Sequence, residues 1–304
     1  MKKDISFMMV AYNEERIIGT ALERLVKAVN EYGNAEILVG IDGDDSTTEI
    51  AKKFEKQCKN IRIFKFLKKM GRTNAQNFLA EKATSDILVN HGADLVFVGD
   101  IVKIVKWFRN PKVGGLVYED TNNMDSMNQG QVILENTYAS IKRRYLISSN
   151  KATSPLLYCY IYRKSGLGKP PYFSTSNDDT ESTYKLLRNG YDVVYDKTQA
   201  RCFIDNPSME RLTRIGVIKR RIRGEIFRRE AKEKLDTNAF DAKKQVPKFT
   251  SAVVTALKNN NWKIRMEIVD YLFFVALGTL IGKVGCSLHI IKYESAWADL
   301  RARD

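Results

Sequence analysis

Short apolar runs alternate with amphipathic stretches along the first hundred residues. Residues 5–11, 36–41, 61–67 and 87–89 are apolar runs of strand length, as expected of strands covered on both faces. Between the first two, residues 14–31 carry Ile17, Ile18, Ala21, Leu22, Leu25, Val26 and Val29 on one helical stripe. Residues 47–59 and 73–83 predict two further helices, the first opened by an Asp/Ser cluster able to cap it. The alternation continues with a helix at 100–108, a strand at 114–118, a helix at 135–146 and a strand-like run at 156–162. A helix at 181–188 follows, stopped by Asn189-Gly190, and then a strand at 191–196. Strands separated by helices of this length predict an α/β fold, Rossmann-like, with a mostly parallel sheet flanked by helices. The loops at 11–15, 42–46, 68–72 and 91–94 then share the carboxyl edge of the sheet, where open α/β sheets bind ligands.

From Ser208 the pattern changes. Residues 209–235 are dense in Arg and Lys, with Leu212, Ile215, Ile218, Ile222 and Ile226 at three- and four-residue spacing. Residues 271–281 are strongly apolar, and 284–291 continue more softly after Lys283. A membrane span needs about 20 predominantly apolar residues; this run reaches that length only by including Lys283 and His289. A buried helix or in-plane membrane contact is therefore expected before a span. The pattern divides the chain into an α/β domain at 1–206 and a helical C-terminal appendage at 207–304.

Charge adds a partner class. The net charge is +14, which suits an anionic small molecule, an anionic membrane surface or nucleic acid. The Arg-rich stretch 209–235 has Phe227 as its single aromatic residue and no recognised nucleic-acid motif, so no nucleic-acid partner is expected. The four cysteines are scattered with no CxxC pair, which argues against a zinc site. The start, Met1-Lys2-Lys3-Asp4, runs straight into a strand. A cytoplasmic location, peripheral on the membrane face, is the expectation.

The loops carry the candidate chemistry. Ala11, Tyr12, Asn13 and Glu14 join the first strand to its helix, where amides and side chains can grip a base or ribose. The second strand ends on Asp42-Gly43-Asp44-Asp45-Ser46; three aspartates in four positions exceed what helix capping requires. Lys68-Lys69-Met70-Gly71-Arg72 is a cationic, Gly-containing loop before a helix N-terminus, a setting for phosphate. Asp94 follows the fourth strand, and the pair Asp178-Asp179 lies downstream.

Taken in order over about residues 4–230, these segments resemble the inverting nucleotide-sugar glycosyltransferases of family 2, which have the GT-A fold. Val10-Ala11-Tyr12-Asn13-Glu14-Glu15 is similar to that family's opening strand and loop. Asp42 with the cluster after it resembles the acidic motif that contacts the nucleotide base. Gly71-Arg72 through Ala75 and Asn77 is similar to its Gly-Lys…Ala-x-Asn segment. Gly92-Ala93-Asp94 falls where the family carries its Asp-x-Asp metal motif. Asp178-Asp179 falls on its Glu-Asp pair, whose second member is the catalytic base. Arg221 matches the arginine of a Gln-x-x-Arg-Trp region whose other two positions are here Ile218 and Ile222.

The resemblance implies an inverting glycosyltransferase that moves a sugar from a UDP- or GDP-sugar donor to an acceptor hydroxyl or phosphate; the basic stretch 209–235 and the apolar run 271–291 favour a lipid acceptor before a saccharide one. It implies Asp179 as base with Asp178 orienting its loop. Donor contacts fall to Ala11, Tyr12, Asn13, Glu14, Asp42, Asp44, Arg72, Asn77, Gly92, Ala93 and Arg221, and a Mg²⁺ or Mn²⁺ ion to Asp94. Two alternatives remain. Gly92 in place of the motif's first acid is compatible with a degenerate relative that binds nucleotide without transfer. A nucleotidyltransferase also uses acidic strand ends and a metal, although residues 11–15 lack its Gly-rich basic signature.

Overall fold

The computed structural model describes residues 2–121, 160–174, 178–203 and 249–288, together with 133, 134, 137, 138, 141, 215, 217–219, 221, 222, 224–226 and 229. The chain divides into two compact units, residues 1–123 with 150–206, and residues 124–149 with 207–304.

The first unit is built on eight strands: β1 (Ile5–Ala11), β2 (Ala35–Ile41), β3 (Ile61–Lys65), β4 (Ile87–Asn90), β5 (Leu95–Val98), β6 (Val113–Thr121), β7 (Ile161–Arg163) and β8 (Asp192–Phe203). They form one sheet in the order β3-β2-β1-β4-β7-β6-β8-β5. The pairs β1–β2, β2–β3, β1–β4 and β6–β8 are parallel. The pairs β4–β7, β6–β7 and β5–β8 are antiparallel. The sheet is thus mixed in its second half. Helices α1 (Ile18–Tyr32), α2 (Thr47–Glu55), α3 (Arg72–Lys82), α4 (Ile101–Phe108) and α5 (Asp178–Arg188) connect and flank the strands.

The apolar stripe expected between residues 17 and 29 is buried along α1, against Phe7, Met9, Ile37 and Val39 of the sheet. The helix begins at Ile18 rather than Glu14 because Asn13 takes a positive φ of 52° and residues 15–17 form a turn. Both Ile17 and Ile18 donate their amides to the Glu14 carbonyl there, at 3.0 and 2.9 Å. β1 lies between β2 and β4, so the chain leaves β1 in one direction and returns to its other side. That reversal opens a crevice at the carboxyl ends of β1 and β4.

One buried polar cluster ties four segments of the first unit. Glu36 on β2 accepts from Ser6 Oγ at 2.6 Å, Thr84 N at 2.7 Å, Thr84 Oγ1 at 2.8 Å and Arg62 at 2.8 Å. Burial by itself would raise the Glu36 pKa; the bonds from Ser6 and Thr84 and the Arg62 charge outweigh it and hold the carboxyl below its usual range. A depressed folded-state pKa contributes stability that is complete above the unfolded value and is lost as pH falls through the folded one. Glu36→Gln is therefore expected to lower thermal stability at neutral pH by about 1–3 kcal/mol, with the gap to wild type closing on acidification below about pH 4. Parallel melting curves across that range check it.

The second unit contains α6 (Phe249–Lys258) and a long α7 (Trp262–Ser287), and its described residues between 133 and 141 and between 215 and 229 are helical as well. Asn261 caps α7 by accepting from the Ile264 amide at 3.1 Å. Leu134, Val217, Ala252, Ala256, Ile268 and Tyr271 form this unit's apolar core.

Candidate active site

The loops after β1 and β2 are laced together. Asn13 Oδ1 accepts from the Asp44 amide at 3.1 Å, and the Glu14 amide donates to Thr47 Oγ1 at 2.8 Å. The Glu15 amide donates to Asp45 at 3.2 Å, and the Ser46 amide returns a bond to Glu15 at 3.2 Å. Gly43 permits this approach, since a Cβ there would lie 2.6 Å from the Asn13 nitrogen. The three aspartates of this loop thus divide their labour. Asp45 locks the loop, Asp44 is exposed with Lys65 at 3.7 Å, and Asp42 turns inward.

Asp42 braces the third loop. Its carboxylate accepts from the Met70 amide at 3.0 Å and from the Gly71 amide at 2.8 Å. Gly71 carries φ 72°, a conformation that favours glycine, and α3 starts at the next residue. Lys69 sits 4.8 Å over the Tyr12 ring. Asp42, Tyr12 and Lys69 therefore line one side of the crevice. Ala11 ends β1, Ala93 follows β4, and both are buried.

The charged centre lies at the start of α3. Arg72 donates to Asp178 Oδ1 at 2.9 Å. Asp178 is only 2 % exposed and also accepts from Gln76 Nε2 at 3.0 Å and from Asn90 Nδ2. Burial pulls the Arg72 pKa down. The carboxylate of Asp178 and then Asp179, Tyr160 and Asp94 outweigh it and hold the guanidinium above its ordinary value. The electrostatics thus tie Arg72 to Asp178, Asp179 and Asp94, three of the acids singled out in the sequence. Asp179 occupies the first turn of α5, beside Asp178 and Glu181, where negative charge is favoured by the helix dipole. Asp179 is half-buried, in contrast to Asp178.

Asp94 stands half-buried between β4 and β5, in a turn closed by the Leu95 amide on the Gly92 carbonyl at 3.2 Å. A Cβ at Gly92 would press on the Asp94 carboxylate and stand 3.1 Å from Leu95 Cδ1. A side chain at position 92 would thus require the Asp94 carboxylate to shift from its present place. Among the described residues no group of three His, Cys, Asp or Glu side chains is placed to hold a metal by itself. A single carboxylate does suit an ion such as Mg²⁺, which is commonly bound by one or two carboxylates plus substrate phosphates.

Asn77 uses both ends of its amide on one backbone position. Its Nδ2 donates to the Phe173 carbonyl at 2.8 Å, and its Oδ1 accepts from the Phe173 amide at 2.9 Å. This anchors the segment that leads to α5. Glu181, fully buried, holds the same segment by accepting from the Ser174 amide at 2.9 Å and from Lys185 at 2.8 Å. Gln76, Asn90 and Glu181 were not among the residues expected from sequence. One signal was available for Asn90, a polar side chain closing the apolar run Ile87-Leu88-Val89. Arg221 lies in the second unit, where it donates to the Tyr271 hydroxyl at 3.5 Å.

The family model for glycosyl transferase family 2 matches residues 6–168, more than half of the chain. No curated protein matches the chain significantly. Among solved structures, the mannosyltransferase PcManGT from Pyrobaculum calidifontis, in complex with GDP-Man and Mn²⁺, is similar at 16 % identity and a TM-score of 0.61, over 92 % of this chain and 88 % of that one. Residues 1–349 of S. aureus TarS, in complex with UDP-GlcNAc, align at 16 % identity and a TM-score of 0.50, over 94 % and 92 % of the two chains. At such identities the likeness is one of fold, and it matches the GT-A architecture expected from sequence.

Proposed function

This chain belongs to glycosyl transferase family 2, and on that premise we propose that it is an inverting enzyme. It moves a sugar from a UDP- or GDP-sugar to an acceptor hydroxyl, lipid-linked in preference to soluble. The observation that carries this reading is the cluster of Arg72, Asp178, Asp179 and Asp94 around the crevice at the sheet's switch point. Neighbours of the same fold were captured with GDP-Man and Mn²⁺ and with UDP-GlcNAc, which supports a nucleotide-sugar donor and leaves its base open.

Each residue has work suited to its position. Asp42 and Tyr12 hold the nucleoside; a carboxylate has about four acceptor sites, so Asp42 can accept from a base edge while bonded to the Met70 and Gly71 amides. The α3 N-terminus and Arg72 face the diphosphate. Asp94 would hold a Mg²⁺ or Mn²⁺ ion, which would supply charge neutralisation for the leaving group. Asp179 accepts the proton of the acceptor hydroxyl as its oxygen bonds to the anomeric carbon. The bond from that carbon to the diphosphate breaks, and its electron pair leaves with the nucleoside diphosphate. Attack opposite the leaving group inverts the carbon. Asp178, fixed by Arg72, Gln76 and Asn90, holds the turn that presents Asp179.

A second reading, nucleotide binding without transfer, draws on Gly92 and on the lack of a second metal carboxylate in that turn. Thermal melts with UDP, GDP and other nucleoside diphosphates, each with and without Mn²⁺, test what both readings share. One nucleotide is expected to raise the melting point, and more so with the ion than without; at a hundredfold excess over Kd the gain is about 2.7 kcal/mol. No shift with any nucleotide overturns both.

A further inference from the structure

We infer that α7 lies in the plane of an anionic membrane, its outward face in the boundary between headgroups and acyl chains, and does not cross the bilayer. The helix passes the length and composition test for a span, yet only 22 % of its most apolar window is buried. At 100° per residue, Trp262, Met266, Val269, Phe273, Ala276, Leu280 and Val284 fall within one narrow stripe. That stripe holds no charge over its whole length and is exposed, Trp262 at 77 % and Phe273 and Leu280 at 60 % each. The opposite face is already used, since Ile268, Tyr271, Gly278, Gly282 and Gly285 are buried within the unit. An amphipathic arrangement is usual for a surface helix. Here the solvent face is the apolar one, and it needs a cover.

The glycine seam argues against a crossing. A Cβ at Gly278 would lie 2.8 Å from the Ile218 Cα and 2.9 Å from the Arg221 Cβ, and one at Gly282 would lie 3.0 Å from the Ile222 Cα and the Glu225 Cβ. Arg229 donates to the carbonyl of Cys286. The helical residues 218–229 therefore ride on the C-terminal half of α7. If α7 crossed the bilayer, Arg221, Glu225 and Arg229 would be carried into hydrocarbon. The insertion cost is about 2.5–3.5 kcal/mol for an Arg or Asp at the centre of a membrane helix. Laid in the plane, the same packing keeps those charges on the water side while the stripe meets the lipid.

Charge selects the occupant. The second unit carries 23 Lys and Arg against 13 Asp and Glu, a net +10 of the chain's +14. Lys263, Arg265 and Lys283 are exposed on α7 itself, to either side of the stripe. Two copies meeting through this face would set like charge against like. An anionic leaflet is complementary to it, and basic residues near such a surface add about 1 kcal/mol each. The inference deepens the lipid-linked acceptor reading, and its test reads binding without turnover.

The test is co-sedimentation of the full chain with vesicles of phosphatidylcholine alone or containing phosphatidylglycerol. Binding is expected only to the anionic vesicles and is reversed by high salt. Phe273→Glu/Leu280→Glu, at exposed positions that need no repacking, is expected to lose binding by at least tenfold while keeping its melting point and its stabilisation by nucleotide. Lys263→Glu/Lys283→Glu is expected to weaken binding to anionic vesicles while leaving the stripe intact. Binding that resists both salt and alkaline carbonate would mean insertion across the bilayer and overturn the in-plane inference. No vesicle binding, or a dimer in solution that the glutamate pair converts to monomer, overturns the membrane as occupant. In either case the stabilisation by nucleotide would still stand, so failure here is distinct from failure of the donor reading.

Discussion

Asp179→Asn lowers the rate of sugar transfer by about two to four orders of magnitude, the range for loss of a general base. The loss falls on kcat, with little change in KM for the donor or in melting point. The two neighbouring acids make this a sharp expectation. Asp178 is buried and committed to Arg72, Gln76 and Asn90, so taking up a proton there would break charge-assisted bonds. Asp179 is one residue on, half-buried, at the first turn of α5. Asparagine keeps its size and loses only the basic oxygen. Initial rates with saturating donor, read as released nucleoside diphosphate, check it. An unchanged kcat would remove Asp179 from the base role.

Arg72→Gln is expected to act on binding and folding together. Among the described residues, the substitution leaves the Asp178 carboxylate with two amide donors and no countercharge. Removing one partner of a fully buried pair costs about 3–5 kcal/mol. Arg72 is 32 % exposed, which lowers the expected loss to about 1–3 kcal/mol. At about 2–4 °C per kcal/mol for a domain of this size, the melting point falls by roughly 2–12 °C. The donor KM rises by about one to two orders of magnitude through loss of a charge-assisted bond to diphosphate. Arg72→Lys restores charge without the fork and recovers stability better than affinity. A melting point unchanged in Arg72→Gln would show that the ion pair with Asp178 contributes nothing.

The parts of the fold visible in the sequence are those whose cause is local. β1 to β4 and their helices were legible because each carries its own periodicity and a turn or cap at its ends. β5 was not. Leu95–Val98 is four residues long, follows Asp94 directly, and exists because residues 200–203 of β8 pair with it from a hundred positions away. β7 was expected within 156–162; its described part is Ile161–Arg163, and residues 156–159 lie outside the described residues. Its antiparallel pairing to β4 and β6 leaves no mark in composition. The expected helix at 135–146 is described only at 137, 138 and 141, which are helical. The apolar run at 271–281 understated α7, because Lys263, Arg265, Glu267 and Asp270 interrupt the apolar pattern before it and Lys283 interrupts it after. Gly278 and Gly282 are close-packing positions, and the helix continues through them to Ser287.

The candidate site divides in the same way. Asp42, Arg72, Asp94 and the pair Asp178-Asp179 are candidates in the sequence because acids and cations at strand ends stand out against apolar runs. The residues that hold them in place were missed. Gln76 and Asn90 are neutral amides whose significance comes from a buried carboxylate far along the chain. Glu181 looks like any acid in a helix's first turn until Ser174 and Lys185 are seen around it. Position in sequence carries which groups are available, and long-range contacts determine which are engaged.

The central claim is direct displacement at the anomeric carbon with Asp179 as base. Proton NMR of the first product formed from the nucleotide-sugar that stabilises the protein, taken before the sugar can mutarotate, tests it most directly. The expected spectrum shows the anomeric configuration opposite to that of the donor, with signal lost in Asp179→Asn. A product that keeps the donor's configuration would contradict the account.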